Sequence, residues 1–536
     1  MNRAPSRVTK HRWAYELFIA VIFLSTLVVK NWSASSHFTQ SEQATSLSER
    51  IPQLFSSPLL RTTRYGIEVY SLDRDTVLYA YNTHDLLVPA SLTKLYYTAT
   101  AFAMMGPAYR VRTVLATDGT IRDGTLDGNL YIIGHGDCLL TNGEIESLAD
   151  RLAALGIKRI TGAIIADASH FDPIVDRQQY SGDAEQMENL PPISALGVNG
   201  NRLTVIVTRG NGDHVRINTF PNSSGVVTRT SVISTRLPSR STPHHQLKRK
   251  HQGYGDRVLY RHRGRRKSQR IIEAVRVSSA LRNDGVQEIH VTGRPRPNAS
   301  ISFTVTMLNP PLVVAGAFER ACTASGIHVQ GGIRIARAPD NIRELAAYER
   351  PLHELVTLCN KNSDNFIAEH VMKILGAYCC GNTQCNVHAY RTVVALLDSL
   401  GIGSNGCVLF DGSGLSRRNR VTVASIIGLL RYCARQSWGD SFFETLAIAG
   451  QDGTLQRRMK GTAAEGNLRG KTGTHRNVSG LAGIVRSRDG ERLLFATLWN
   501  GGNVGFYKRL ENQLGEVLAT YNPDDARKSI GSSPQR

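Results

Sequence analysis

Hydrophobic and polar positions follow two different periods along this chain, and the period changes twice. In RYGIEVYSLDRDTVLYAYNT two apolar-rich runs flank Asp73-Arg74-Asp75, which predicts a β-hairpin. VPASLTKLYYTATAFAMM then carries apolar residues at helical spacing, with Pro89 as a start signal and Gly106-Pro107 as a stop. From about residue 110 to 340 the texture is short β-branched runs between turn residues, such as GNLYIIGHGD, RLTVIVTRGNG and ISFTVTML. Within that block only EIESLADRLAALGI and NPPLVVAGAFERACTASGI keep helical spacing. Helical texture returns in LVTLCNKNSDNFIAEHVMKILG and in VASIIGLLRYCAR, the latter entered through the turn-rich loop DGSGLSRRNRVT. RGKTGTHRNVSGLAGIVRS and ERLLFATLWNGG read as two strands joined through Arg488-Asp489-Gly490, and a last helix runs over roughly 505–521. Residues 37–60 read as an exposed lead-in.

A chain of 536 residues exceeds a single compact core, so more than one domain is expected. The pattern divides it into 37–109 and 341–522, two parts of one domain, separated by one or two β-rich inserted domains over 110–340. The tail 523–536 reads as disordered. A hydrophobic fraction of 41% with 20% charged residues is that of a globular protein. The N-terminus places Arg3, Arg7, Lys10 and Arg12 ahead of the apolar run Leu17–Val29. A basic flank and a short apolar core make 1–36 an export signal, or a retained membrane anchor, so the bulk of the chain is expected to be periplasmic or otherwise extracytoplasmic.

The formal charge of +20 changes the picture only as to neighbourhood, favouring anionic surroundings. No paired-cysteine finger, RRM-type aromatic signature or basic zipper accompanies it, so no nucleic-acid partner is expected. The segment Arg236–Arg270 is dense in Arg, Lys and His and poor in apolar residues, an exposed loop that could also contact anionic lipid or wall polymer. Eight cysteines do not make a disulfide scaffold. Cys379, Cys380 and Cys385 could form one short-loop disulfide, and their spacing is poor for zinc, so no metal and no cofactor is assigned.

Three short segments carry the candidate chemistry. On a helix Ser91 and Lys94 share a face, and a neutral lysine can take the proton of an adjacent serine. By itself the pair also reads as an N-cap serine followed by a surface lysine. Ser363-Asp364-Asn365 sits in a turn just ahead of an amphipathic run. Lys471-Thr472-Gly473 opens a strand, where glycine would admit a ligand backbone and lysine would meet a carboxylate. An extended peptide could add beside that strand by main-chain hydrogen bonding.

The order S-x-x-K, S-x-N, K-T-G is the signature of penicillin-recognising serine acyl-transferases. With PASLTK, GHGD, IADASHFD, SALGVNGN, NSDNF, DGSGLSR, AGQDGTL and GKTGT, the chain from about 40 to 522 resembles peptidase family S13. That family comprises D-alanyl-D-alanine carboxypeptidases/endopeptidases of the penicillin-binding protein 4 (DacB) type. The interval from Ser91 to Ser363 is far longer than that from Ser363 to Lys471. A β-lactamase core has no room for it, whereas S13 proteins carry inserted domains there. One departure is Cys138, where the family usually has proline.

The resemblance implies an α/β (α+β) fold: a penicillin-binding/β-lactamase-like catalytic domain, antiparallel sheet with helices on both faces, interrupted by the insert. It implies a serine-type D-Ala-D-Ala carboxypeptidase acting on peptidoglycan stem peptides, with D,D-endopeptidase cleavage differing only in the leaving group and β-lactams as covalent inhibitors. A catalytically inactive wall-binding protein of the same fold is the alternative. Ser91 would be the nucleophile, Lys94 its base with neutrality favoured by the charge of Lys471, Ser363 the proton relay, and Asn365 a positioning group. Lys471 and Thr472 would hold the substrate carboxylate beside Gly473, the N–H of Thr474 would join that of Ser91 in an oxyanion hole, and Asp167 would bind a stem-peptide amine. His135, His370 and His475 are expected to be structural or surface residues rather than catalytic ones.

Overall fold

The computed structural model describes residues 45–211, 214–231, 275–293, 295–403 and 406–522. The export segment 1–36, the basic loop 236–270 and the tail 523–536 lie outside them. Two compact units emerge. One takes the described residues up to Val111, His170–Ile193 and those from Arg350 onward; the other takes Arg112–Ser169 and Ser194–Glu349. The sequence pattern drew the one or two inserted domains as one unbroken stretch over 110–340. In the structure His170–Ile193 leaves that stretch and belongs to the first unit, with consequences for the site.

The first unit is built on a six-stranded antiparallel sheet in the order Thr76–Tyr81, Arg64–Ser71, Arg492–Asn500, Val478–Arg486, Arg469–His475, Ala447–Ile448. The expected hairpin is its first pair, closed at Asp75 with φ 52° and tied by Asp73 to Arg492 at 2.6 Å. Alternate side chains separate the two faces. Leu493, Phe495 and Trp499 look toward the helices Thr45–Leu54 and Val504–Ala519, where Trp499 stacks on Tyr507 with ring centres 5.6 Å apart. Leu498, on the other face, lies with Leu92 over Gly480.

Two sequence expectations are corrected here. The lead-in is not wholly exposed. Leu47, Ile51 and Phe55, spaced four apart, bury against the sheet from the Thr45–Leu54 helix and the residue after it, each worth roughly 1.5–3 kcal/mol. RGKTGTHRNVSGLAGIVRS is not one strand but two, Arg469–His475 and Val478–Arg486, turning at Arg476-Asn477. The polar triplet His475-Arg476-Asn477 interrupts the run, and folding back lets Gly473 face Gly480.

The second unit is β-rich. A five-stranded sheet, a four-stranded sheet and two three-stranded sheets surround the helices Asn142–Ala154 and Pro310–Ala324, both where the apolar spacing predicts them. Thr141 and Glu144 close a capping box at the start of the first. Leu148, Leu152, Val314 and Phe318 meet the strand residues Ile132, Ile164 and Val205 in one core.

Candidate active site

The nucleophile candidate sits on a strained turn. Ala90–Leu92 form one 3-10 turn that runs directly into the helix Thr93–Met105. Ala90 is buried with φ 48°, left-handed backbone that an L-residue adopts at a cost of about 1–2 kcal/mol. Two glycines hold it there. A Cβ on Gly414 would lie 2.0 Å from the carbonyl oxygen of Ala90, and one on Gly473 would lie 2.6 Å from that of Pro89. Gly473 is thus required by this chain's own backbone, a packing role that the sequence reading, with its incoming ligand, did not contain.

Lys94 is fully buried, and its amine meets three oxygens: Ser91 Oγ at 2.9 Å, Asn365 Oδ1 at 2.7 Å and the Ser413 carbonyl at 2.5 Å. The amide oxygen and the carbonyl can only accept; the serine hydroxyl can also donate. A neutral Lys94 therefore spends two N–H groups on Asn365 and Ser413 and keeps its lone pair for the proton of Ser91. The orientation of Asn365 is fixed in turn, because its Nδ2 donates to the carboxylate of the exposed Glu188, which cannot donate back.

Ser363 joins two helices. It ends Leu352–Asn362 in left-handed backbone at φ 58°, and Asp364 then caps Asn365–Cys380 by accepting from Ile367 N at 2.9 Å. That sharp junction leaves Ser363 and Asn365 half-buried at its apex. The Lys471 amine donates to Ser363 Oγ at 2.8 Å and to the Thr472 carbonyl at 2.8 Å. Lys471 and Gly473 alternate to one side of their strand, while Thr472 and the exposed Thr474 alternate to the other. The Thr472 hydroxyl donates to Thr454 Oγ1 at 2.8 Å. The short strand Ala447–Ile448 pairs only with Arg469 and Gly470, so residues 471–475 have no strand on that edge among the described residues.

Burial pushes the Lys94 amine below the ordinary lysine range, against the opposing pull of Cys359, Asp411, Glu369 and Asp364. Lys471 lies well below that range, by burial first and by the neighbouring Lys94 second. The sequence reading gave the charge of Lys471 as the reason for a neutral Lys94; what lowers Lys94 is removal from water, and the charge interaction between the two amines acts on Lys471. Burial likewise lowers His475, whose Nε2–H donates to the Gly414 carbonyl at 2.8 Å, a structural contact.

A buried polar network that the motifs did not announce supports this centre. Arg177 donates to Asp183 at 2.7 Å and to Asp411 at 3.0 Å. Asp411 also takes the N–H groups of Gly414 and Ser416. Glu369 takes those of Gly412 and Ser413, and Tyr180 donates to it at 2.9 Å. Arg177, Tyr180, Asp183 and Glu188 all arrive on His170–Ile193, which is pinned by a buried Asp172–Lys373 pair at 2.8 Å. An acid inside the apolar run FIAEHVMKILG was the one sequence signal that could have singled out Glu369. Asp167 belongs to the second unit, where it accepts from Ser169 N at 2.7 Å and Ala338 N at 2.8 Å. All eight cysteines are free thiols, including Cys379, Cys380 and Cys385.

The chain is similar to known proteins along most of its length. The model of the D-Ala-D-Ala carboxypeptidase 3 (S13) family matches residues 47–256 and 255–521. A D-alanyl-D-alanine carboxypeptidase of Actinomadura sp. (strain R39) is 28% identical over 506 residues, covering 91% of this chain and 88% of the relative. The D-alanyl-D-alanine carboxypeptidase DacB of Haemophilus influenzae is 26% identical over 446 residues, 82% of this chain and 86% of its own. The crystal structure of penicillin binding protein 4 (dacB) from H. influenzae matches in fold, with a TM-score of 0.64 at 23% identity over 88% of this chain and 99% of that one.

Proposed function

Because this chain belongs to the D-Ala-D-Ala carboxypeptidase 3 (S13) family, a family of serine-type, penicillin-binding carboxypeptidases, we propose how its residues divide the hydrolysis of peptidoglycan stem peptides. Lys94 takes the proton of Ser91 as Oγ attacks the carbonyl between two D-alanines. The N–H groups of Ser91 and Thr474 receive the oxyanion. As the C–N bond breaks, Ser363 passes its proton to the leaving D-alanine nitrogen and regains one from Lys471, which donates to it, while the proton taken up by Lys94 returns to Lys471 and leaves Lys94 neutral for the next step. Water then attacks the Ser91 ester with Lys94 again as base. The substrate lies along the open edge of 471–475, its carboxylate between the hydroxyls of Thr472 and Thr474 and the field of Lys471. Asp167 is kept as the group for a stem-peptide amine, a role that must share its carboxylate with two backbone N–H groups.

The observation that carries this reading is the pairing of obligate acceptors around Lys94, which leaves Ser91 as the one partner able to give it a proton. β-Lactams enter the same centre as acylating analogues. Location follows from substrate: the enzyme works outside the cytoplasmic membrane, delivered by the basic flank and apolar run at its N-terminus. Among the described residues no helix is long and apolar enough to cross a membrane. The basic stretch Arg236–Arg270 is assigned to contact with anionic wall polymer or lipid, weakening as salt rises.

The test is a fluorescent penicillin with mass spectrometry of monomeric and cross-linked stem peptides. Label is expected on Ser91, absent in Ser91→Ala, with D-alanine released from the monomer. A folded wild-type protein that neither labels nor alters any stem peptide would leave the inactive wall-binding alternative in its place.

A further inference from the structure

We propose that Glu369 is a positioning residue for the Ser91–Lys94 pair: its carboxylate grips the backbone of Gly412 and Ser413 and so holds the Ser413 carbonyl against the Lys94 amine. The inference rests on the acyl-enzyme reading above and deepens it.

The Ser413 carbonyl is no incidental neighbour. It lies 2.5 Å from Lys94 Nζ and 3.4 Å from Ser91 Oγ, so it fixes both the direction of one Lys94 N–H and the space left for the hydroxyl. A loop carbonyl keeps such a place only if the peptide groups around it are held. Here the two amides at the tip donate to the two oxygens of one side chain, Ser413 N to Oε1 at 2.9 Å and Gly412 N to Oε2 at 3.0 Å. Tyr180 adds a third donor to Oε2. Glu369 itself is fully buried and near the start of the Asn365–Cys380 helix, whose first residue is the other acceptor of Lys94. One helix thus sets two of the three oxygens around the base, Asn365 directly and Ser413 through Glu369.

A neutral isostere would fill the same volume without the expense of burying a carboxylate, which is tolerable only when hydrogen bonds offset the lost hydration. Three donors, one on Oε1 and two on Oε2, supply them. A glutamine there would turn its own NH2 toward one of the two backbone N–H groups, so one grip would be lost and the loop tip released.

Charge gives the second consequence. The groups facing Glu369 are Asp411 on the loop, Tyr180 and Arg177 on His170–Ile193, Lys94 and Tyr97 on the nucleophile helix, and Cys359 on Leu352–Asn362. Burial and the neighbouring Asp411 raise the pKa of Glu369, while the N–H groups of Gly412 and Ser413 favour its ionised form; ionised, it favours the protonated form of Lys94, opposing the effect of burial. Acylation needs the neutral amine, so its rate rises with pH through the titration of Lys94. Removing the charge at Glu369 moves that rise to lower pH, while loosening Ser413 lowers the plateau.

The experiment uses full-length Glu369→Gln and follows the second-order rate of acylation by a fluorescent penicillin across pH. The expected result is a plateau about tenfold lower, with the acid limb displaced by about half a pH unit or more toward acid. A lower plateau with an unmoved limb makes Glu369 a support of the fold alone and overturns the proposal, as does a profile equal to wild type. Should Glu369→Gln not fold, Tyr180→Phe removes one donor and leaves the carboxylate less stable. A smaller displacement in the same direction is then expected, and an unmoved limb overturns the proposal. If the wild-type protein itself never acquires label at Ser91, the acyl-enzyme reading fails before Glu369 is in question.

Discussion

Gly473→Ala tests whether the strand and the nucleophile turn are locked to each other. An added Cβ would stand 2.6 Å from the Pro89 carbonyl oxygen and 3.3 Å from both Cγ and N of Leu92. The first contact is with backbone on a buried turn, so no side chain can rotate away. Relief requires the turn and the strand to separate by about half an ångström. Overpacking of this kind costs about 1–3 kcal/mol. The catalytic effect is larger than the stability effect, because the displaced residues flank Ser91 on one side and Lys471 on the other. Misplacement of reacting groups by about 1 Å can cost about a hundredfold, so a shift half that size gives an acylation rate lower by about tenfold or more. The assay is labelling by a fluorescent penicillin under single-turnover conditions, with a thermal melt in parallel. Gly505→Ala is the control. It lies in a helix with nothing near its would-be Cβ, and should gain up to about 1 kcal/mol of stability with acylation unchanged. A Gly473→Ala protein that acylates within about twofold of wild type would refute the reasoning, since the turn would then tolerate a separation that the catalytic geometry is argued to forbid.

Three further outcomes are expected. Lys94→Arg should lower acylation by about a thousandfold or more, because a guanidinium cannot give up its proton to become the base; retained activity would put the base elsewhere. Glu68, buried in the Arg64–Ser71 strand, is pushed up to about 7 by burial against the pull of Arg431. The folded protein therefore holds this proton more tightly than the unfolded chain; the associated stability is present in acid and is lost as pH rises from about 4.5 through about 7, by up to about 3 kcal/mol. Glu68→Gln should flatten that part of the profile, and urea unfolding at pH 5 and 8 that shows equal slopes in both proteins would contradict it. Iodoacetamide on the native protein should add one group, at the exposed Cys380, because the other seven thiols are buried and those of Cys322, Cys359, Cys379 and Cys385 are pushed up to about 12 by burial. A disulfide involving Cys380 would give no adduct.

The chain alone determined what can be written in a few neighbouring residues. Ser91 with Lys94, Ser363 with Asn365, and Lys471 with Gly473 are local patterns whose chemistry follows from residue type and spacing, and the hairpin, the nucleophile helix and the last helix follow from period and from their turn residues. The tail end of the first sheet was misread as one strand because glycine-rich apolar runs hide a tight turn, and the Thr45–Leu54 helix was missed because only three of its positions and the next are apolar. Tertiary structure alone decided that His170–Ile193 returns from within the insert to bring Arg177, Tyr180 and Glu188 to the centre, that Gly473 and Gly414 clamp the strained Ala90, and that burial, not a second cation, lowers the pKa of Lys94. Desolvation and the sharing of donors among buried acceptors depend on what surrounds a group in three dimensions. Neither is a property of neighbours in sequence.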